Sequence, residues 1–118
     1  TIIVTSTALI DIFSPISITS AGGACLVGMQ AAMACSAAGI VATLDVDVDG
    51  VSQGGANGIA LFTGTGAGIG FNASFVFYVS PRTAGLHTFK LRAAVSAGSA
   101  SILATSSGYN AQFWVREI

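Results

Sequence analysis

The chain has 118 residues, of which 53% are hydrophobic and 8% charged, and its net charge is -1. An ordinary soluble domain carries about 25% charged residues. The composition therefore excludes the basic footprint of a nucleic-acid binder, because Arg82, Lys90, Arg92 and Arg116 are few and face five acids. It excludes a basic membrane-surface patch for the same reason. A surface this poor in ions has little to keep a lone copy in solution, so the expectation is an obligate assembly.

The length suits a single domain over residues 1–118 with one core. The opening TIIVTSTALID has no basic region of the kind that starts a signal peptide. Ile2 to Thr5 and Ile16 to Thr19 are β-prone, and residues 1–19 are a candidate N-terminal arm laid across a neighbour. From Gly22 to Leu44 no charge occurs, a length that would span a bilayer. Its Ala, Gly, Ser and Cys content, with Gln30 in the middle, instead predicts a strand from Ala24 to Cys35. On one strand Cys25 and Cys35 stand about 33 Å apart and form no disulfide with each other. Ala42 to Asp49 alternates Leu44, Val46 and Val48 with Asp45, Asp47 and Asp49, which predicts a strand with three aspartates on a wet face.

A weaker strand follows at Gly58 to Thr63. Gly64 to Gly70 fails both phosphate-loop spacings, and its alternate glycines are read as a flat strand face that another backbone approaches. Gly68 to Ser80 places Ile69, Phe71, Ala73, Phe75, Phe77 and Val79 on one side; from Phe75 to Val79 both sides are apolar, so a second covered face is expected. Leu86 to Val95 sets His87, Phe89, Leu91, Ala93 and Val95 against Thr88, Lys90 and Arg92, one dry face and one wet. Ser99 to Ala104 and Ala111 to Glu117 complete the strands. Turn formers such as Ala21-Gly22-Gly23, Asp49-Gly50, Asn57-Gly58, Ala97-Gly98 and Ser107-Gly108 separate them. The predicted fold is all-β, an antiparallel two-sheet β-sandwich of about eight strands, jelly-roll-like.

No catalytic constellation emerges. His87, the single histidine, lies on an apolar face with no Gly-x-Ser-x-Gly elbow in the chain, and is read as a buried, hydrogen-bonded residue. Asp45-Val46-Asp47-Val48-Asp49-Gly50 opens like a calcium loop, but Ala56 stands where the bidentate carboxylate belongs. A solvated face that discourages edge pairing is the reading preferred to a shared cation. Neither cysteine has the paired spacing of a metal site, and no cofactor motif occurs. Asn72-Ala73-Ser74 is formally a glycosylation sequon, taken as accidental. The interface candidates are Tyr109, Phe113, Trp114, Arg116 and Arg82; Trp114 and Arg116 share the parity opposite to Phe113 and Val115.

Three phrases in the last third of the chain carry a resemblance: Ala84-Gly85-Leu86-His87-Thr88-Phe89-Lys90-Leu91, Ala97-Gly98-Ser99-Ala100-Ser101-Ile102, and Ala111-Gln112-Phe113-Trp114-Val115-Arg116-Glu117-Ile118. Together they resemble the ending of small tailed-bacteriophage virion proteins, whose jelly-roll domains are similar in form to the trimeric tumour-necrosis-factor and complement-C1q heads. The sequence departs from that pattern at Phe113-Trp114, where a smaller pair is usual. The resemblance implies a virion structural protein, a homotrimer made in the host cytoplasm. Its foremost role would be a capsid decoration (cement) protein on the capsid surface that bridges major capsid subunits. The alternative is a tail-fibre or tail-tip head that binds a host receptor or glycan. The lack of an upstream stalk and the ion-poor surface favour the shell.

Overall fold

The computed structural model describes residues 1–103, 105, 106 and 109–118. Alternation of apolar and polar residues, punctuated by glycine turns, yields strands almost throughout. They are β1 (Ile2–Val4), β2 (Ile10–Asp11), β3 (Ile16–Ser20), β4 (Cys25–Cys35), β5 (Val41–Val48), β6 (Val51–Ser52), β7 (Ala60–Thr63) and β8 (Gly70–Val79). After these come β9 (Gly85–Val95), β10 (Ala100–Leu103), β11 (Thr105–Ser106), β12 (Tyr109–Asn110) and β13 (Gln112–Glu117). A single turn of 3-10 helix occupies Gly55–Asn57.

The first sheet runs β1-β10-β4-β8, and β13 takes up the line of β10 along β4: β10 pairs Ala32 to Cys35 and β13 pairs Cys25 to Gln30. The second runs β3-β9-β5-β7, with β2 beside β3 on β9 and β6 beside β7 on β5. Every pairing is antiparallel. With the separate β11-β12 pair set aside, counting each shared line once gives eight strands among the described residues, in the orders 1-8-3-6 and 2-7-4-5, the double Greek key of a jelly roll.

The core lies between the sheets. Val27, Met29, Ala31 and Met33 of β4 face Leu44, Val46 and Val48 of β5 and Phe89, Leu91 and Ala93 of β9. Each of the larger side chains contributes about 1.5–3 kcal/mol by leaving water. Phe13 stacks on Phe113 with centroids 6.3 Å apart, and Phe62 on Phe71 at the same distance, closing the two open edges.

Cys25 and Cys35 occupy the two ends of β4, buried and unbonded. Burial pushes both thiols up, so neither is a ready thiolate. The charge-free stretch from Gly22 to Leu44 is β4 and the start of β5. No helix among the described residues is long and apolar enough to cross a membrane.

Three expectations change. Residues 1–19 are woven into the sandwich instead of reaching out as an arm: β1 pairs with β10, β2 and β3 pair with β9, and Val4 is fully buried. The glycines from Gly64 to Gly68 form a connection, not a strand. Gly68 is left-handed (φ 69°), and a Cβ on Gly64 would lie 2.6 Å from the Cys35 Cβ. Finally, Asp45 and Asp47 point outward from β5 as the period requires, yet both are fully buried. The segment after β5 folds back over them, turning at Asp49-Gly50, whose φ values of 52° and 87° mark a tight two-residue hairpin turn.

Candidate functional site

The outer face of the first sheet follows from register. Leu26 of β4 sits between Tyr78 and Arg116, Gly28 between Val76 and Trp114, and Gln30 between Ser74 and Gln112. Ala32 lies between Asn72 and Leu103, and Ala34 between Gly70 and Ser101, with Ile3 beyond. Among the described residues Arg116 is the only charged side chain in this array. Val76 is 63% exposed, Tyr78 55% and Ile3 62%, so large apolar groups stand in water.

Trp114 lies flat across the middle of this face because Gly28 leaves room for it. A Cβ at that position would come within 2.1 Å of the indole, so glycine is required here by close approach of a ring. The indole edge, Val76, Ser74 and Gln30 then bound a shallow groove of about 320 Å³. Apolar walls, an amphipathic ring and a few amide and hydroxyl groups are the composition of a protein interface core.

The second sheet's outer face has opposite chemistry. Arg92 donates from Nε to Asp11 Oδ1 at 2.9 Å and stands 3.4 Å from Asp47 Oδ2, while Lys90 is 3.6 Å from the other oxygen of Asp11. Asp47 Oδ1 accepts the Gly50 N–H at 2.9 Å. Asp45 accepts the Gly54 N–H at 2.8 Å and the Ser52 hydroxyl. Both oxygens of Asp45 and one of Asp47 thus hold the 50–54 segment on the sheet, while Asp47 Oδ2 is buried facing Arg92 without a hydrogen bond. Asp49 turns away toward His87, so the three aspartates do not converge. Among the described residues no three His, Cys, Asp or Glu side chains are grouped to hold a metal.

Two carboxylates organise one end of the sandwich. Glu117 Oε1 accepts from the Ser20 hydroxyl (2.6 Å), the Ala21 N–H (3.0 Å) and the Gly23 N–H (3.1 Å), which ties the last strand to the bend between β3 and β4. The Ser20 bond first, then the Gly23 amide, hold its pKa below the usual carboxylate value. Asp49 Oδ2 meets His87 Nδ1 at 2.5 Å and its Oδ1 accepts the Thr88 N–H at 2.8 Å. The histidine bond is the main reason its pKa is lowered.

Of the interface candidates, Trp114 and Arg116 share this charge-poor face. Phe113 points the other way, into the seam against Phe13. Arg82 sits at the end of the sandwich, where its Nη2 donates to Gln53 Oε1 at 3.0 Å. The side chain of Tyr109 lies outside the described residues, as do Ala104 and the Ser107-Gly108 turn. The face also includes Leu26, Val76, Tyr78 and Ile3, which were not singled out from the sequence; the apolar doubling from Phe75 to Val79 was the available signal. No family model matches the chain, and no curated protein or solved structure is similar enough to it to count as a match.

Proposed function

We propose that the protein is a non-catalytic structural subunit that trimerises through the outer face of the first sheet and decorates a bacteriophage capsid, bridging major capsid subunits. One observation carries this reading. The alternation in β8 calls for cover on both sides, and the described residues supply it on one side only, leaving Val76 and Tyr78 in water. Exposed apolar patches of this kind mark interaction surfaces.

The occupant is a further copy of the chain. A face four strands wide and as long as β4 offers on the order of 700 Å², close to the roughly 800 Å² per partner that a stable interface buries. With Arg116 as its single charge among the described residues, the face offers little to oppose neighbouring copies gathered about a three-fold axis. The capsid setting is supported by the phrases that resemble virion proteins, which fall on the neighbouring elements β9, β10 and β13. The ionic second face would remain outward for the shell or for solvent.

Native mass measurement on the full chain, followed by addition to capsids that lack it, tests both halves. A trimer that raises the temperature at which those capsids burst is expected. A monomer at millimolar concentration overturns the assembly. A trimer that ignores capsids and attaches to host cells replaces decoration with a receptor-binding head.

A further inference from the structure

His87 is nearly buried at the start of β9, with an acceptor at each ring nitrogen. Nδ1 faces Asp49 Oδ2 at 2.5 Å and Nε2 faces the Thr83 carbonyl at 2.6 Å. Neither partner has a proton to give: a carboxylate and a carbonyl both accept. A neutral imidazole carries one N–H, so it satisfies one contact and leaves two lone pairs opposed at the other. Only the imidazolium satisfies both.

The two contacts differ in what holds the partner. Asp49 is fixed twice over, by its left-handed place in the two-residue turn (φ 52°) and by the Thr88 amide on its other oxygen. Thr83 belongs to the exposed connection between β8 and β9, whose other side-chain tie is Arg82 to Gln53. The negative carboxylate is also the stronger acceptor. We infer that His87 is a pH-operated latch: protonated, it holds the connection around Thr83 onto the Asp49-Gly50 turn; neutral, it keeps its Nδ1 proton on Asp49 and releases Thr83.

The charged groups around the ring are Asp49, which favours the closed form, and Arg82, which opposes it. β3, paired alongside through Ile18, brings no charged residue. The Asp49 bond and then the Thr83 carbonyl keep the imidazole pKa above its ordinary 6.5, against burial. The latch is therefore shut below pH 6.5 and opens as the pH rises through the raised value. It stands apart from the assembly face and does not depend on the trimer.

The experiment is a pH titration of the full chain by NMR, following the imidazole nitrogens, the Thr83 carbonyl and the Ala84 amide. Expected are a midpoint above 6.5, both nitrogens protonated below it, the Nδ1–H tautomer above it, and the Thr83 carbonyl and Ala84 amide resonances shifting with the ring across the transition, as the bond to that carbonyl is lost. Asp49→Asn, which tolerates the same left-handed backbone, should lower the midpoint. A wild-type midpoint at or below 6.5, an Nε2–H tautomer at high pH, or Thr83 and Ala84 resonances that do not follow the ring overturns the latch, whether or not the variant folds.

Discussion

On the β9 side of the sandwich, Lys90 and Arg92 project outward into Asp11 and Asp47; on the β4 side the corresponding rows hold Leu26, Gly28 and Ala32. Both faces arise from the same period of two, and both sheets present the opposite parity to one shared core. Apart from Leu61 and Leu86 at its margins, the second face is ionic and internally paired. The first has one charged side chain, Arg116, and no covering loop among the described residues. A sandwich needs only one covered face per sheet, so the asymmetry is not a demand of folding. It separates a face that is finished within the described residues from one that is not.

The largest expected effect comes from making the unfinished face resemble the finished one. Val76→Glu puts a charge on the exposed face of β8, opposite Gly28 and in the groove that Trp114 lines. An unpaired buried charge costs about 3–5 kcal/mol, so self-association should weaken at least a hundredfold. The monomer should stay folded, because Val76 is exposed within it. Thr88→Glu, on the outer side of β9, should leave association unchanged. Sedimentation velocity over a concentration series reads both; equal behaviour of the two variants would erase the distinction between the faces.

A middle-sized effect probes why the second face is finished. Asp45 spends its carboxylate on the Ser52 hydroxyl and the Gly54 amide, so Asp45→Ala strands two donors beneath the 50–54 segment. The expected loss is about 2–3 kcal/mol, the cost of buried groups left without partners, measured by urea unfolding. Association should persist while the monomer is folded. If stability is unchanged, the carboxylate is not what seats that segment.

Those two aspartates also mark the boundary of what the sequence reveals. The long strands, the Asp49-Gly50 turn and the outward parity of Trp114 and Arg116 are all legible, because alternation and left-handed turn chemistry are local. The burial of Asp45 and Asp47 is not, because it depends on a segment folding back and offering backbone N–H groups. The short pairings at Ile10–Asp11 and Val51–Ser52 are too brief to show a period. Gly64 to Gly68 are ambiguous in sequence for a related reason: alternate glycines look alike in a flat strand and in a connection, and only the packing of Gly64 on Cys35 tells them apart. The charge-poor face is half visible. The doubling of apolar residues from Phe75 to Val79 announces a second cover without saying that the described residues do not provide it.

The smallest effect lies at the seam where the two sheets meet. Glu117 closes β13 of the first sheet onto Ser20 and the bend that follows β3 of the second, so it belongs to both faces at once. Its hydrogen bonds favour the ionised form, placing the folded pKa below the ordinary 4.5. The stability it contributes is complete above 4.5 and disappears as the pH falls through that lower folded value. Glu117→Gln keeps the size of the side chain and removes its charge, so it should unfold at a slightly lower temperature at neutral pH and show a flatter decline in acid. Some slope should survive, since Asp49 also has a lowered pKa and titrates in the same direction. Thermal unfolding from pH 7 down to the acid limit measures the difference between the curves. Parallel curves for variant and wild type would mean that the bend at Ser20 to Gly23 is held by the backbone alone, and that the carboxylate does not join one sheet to the other.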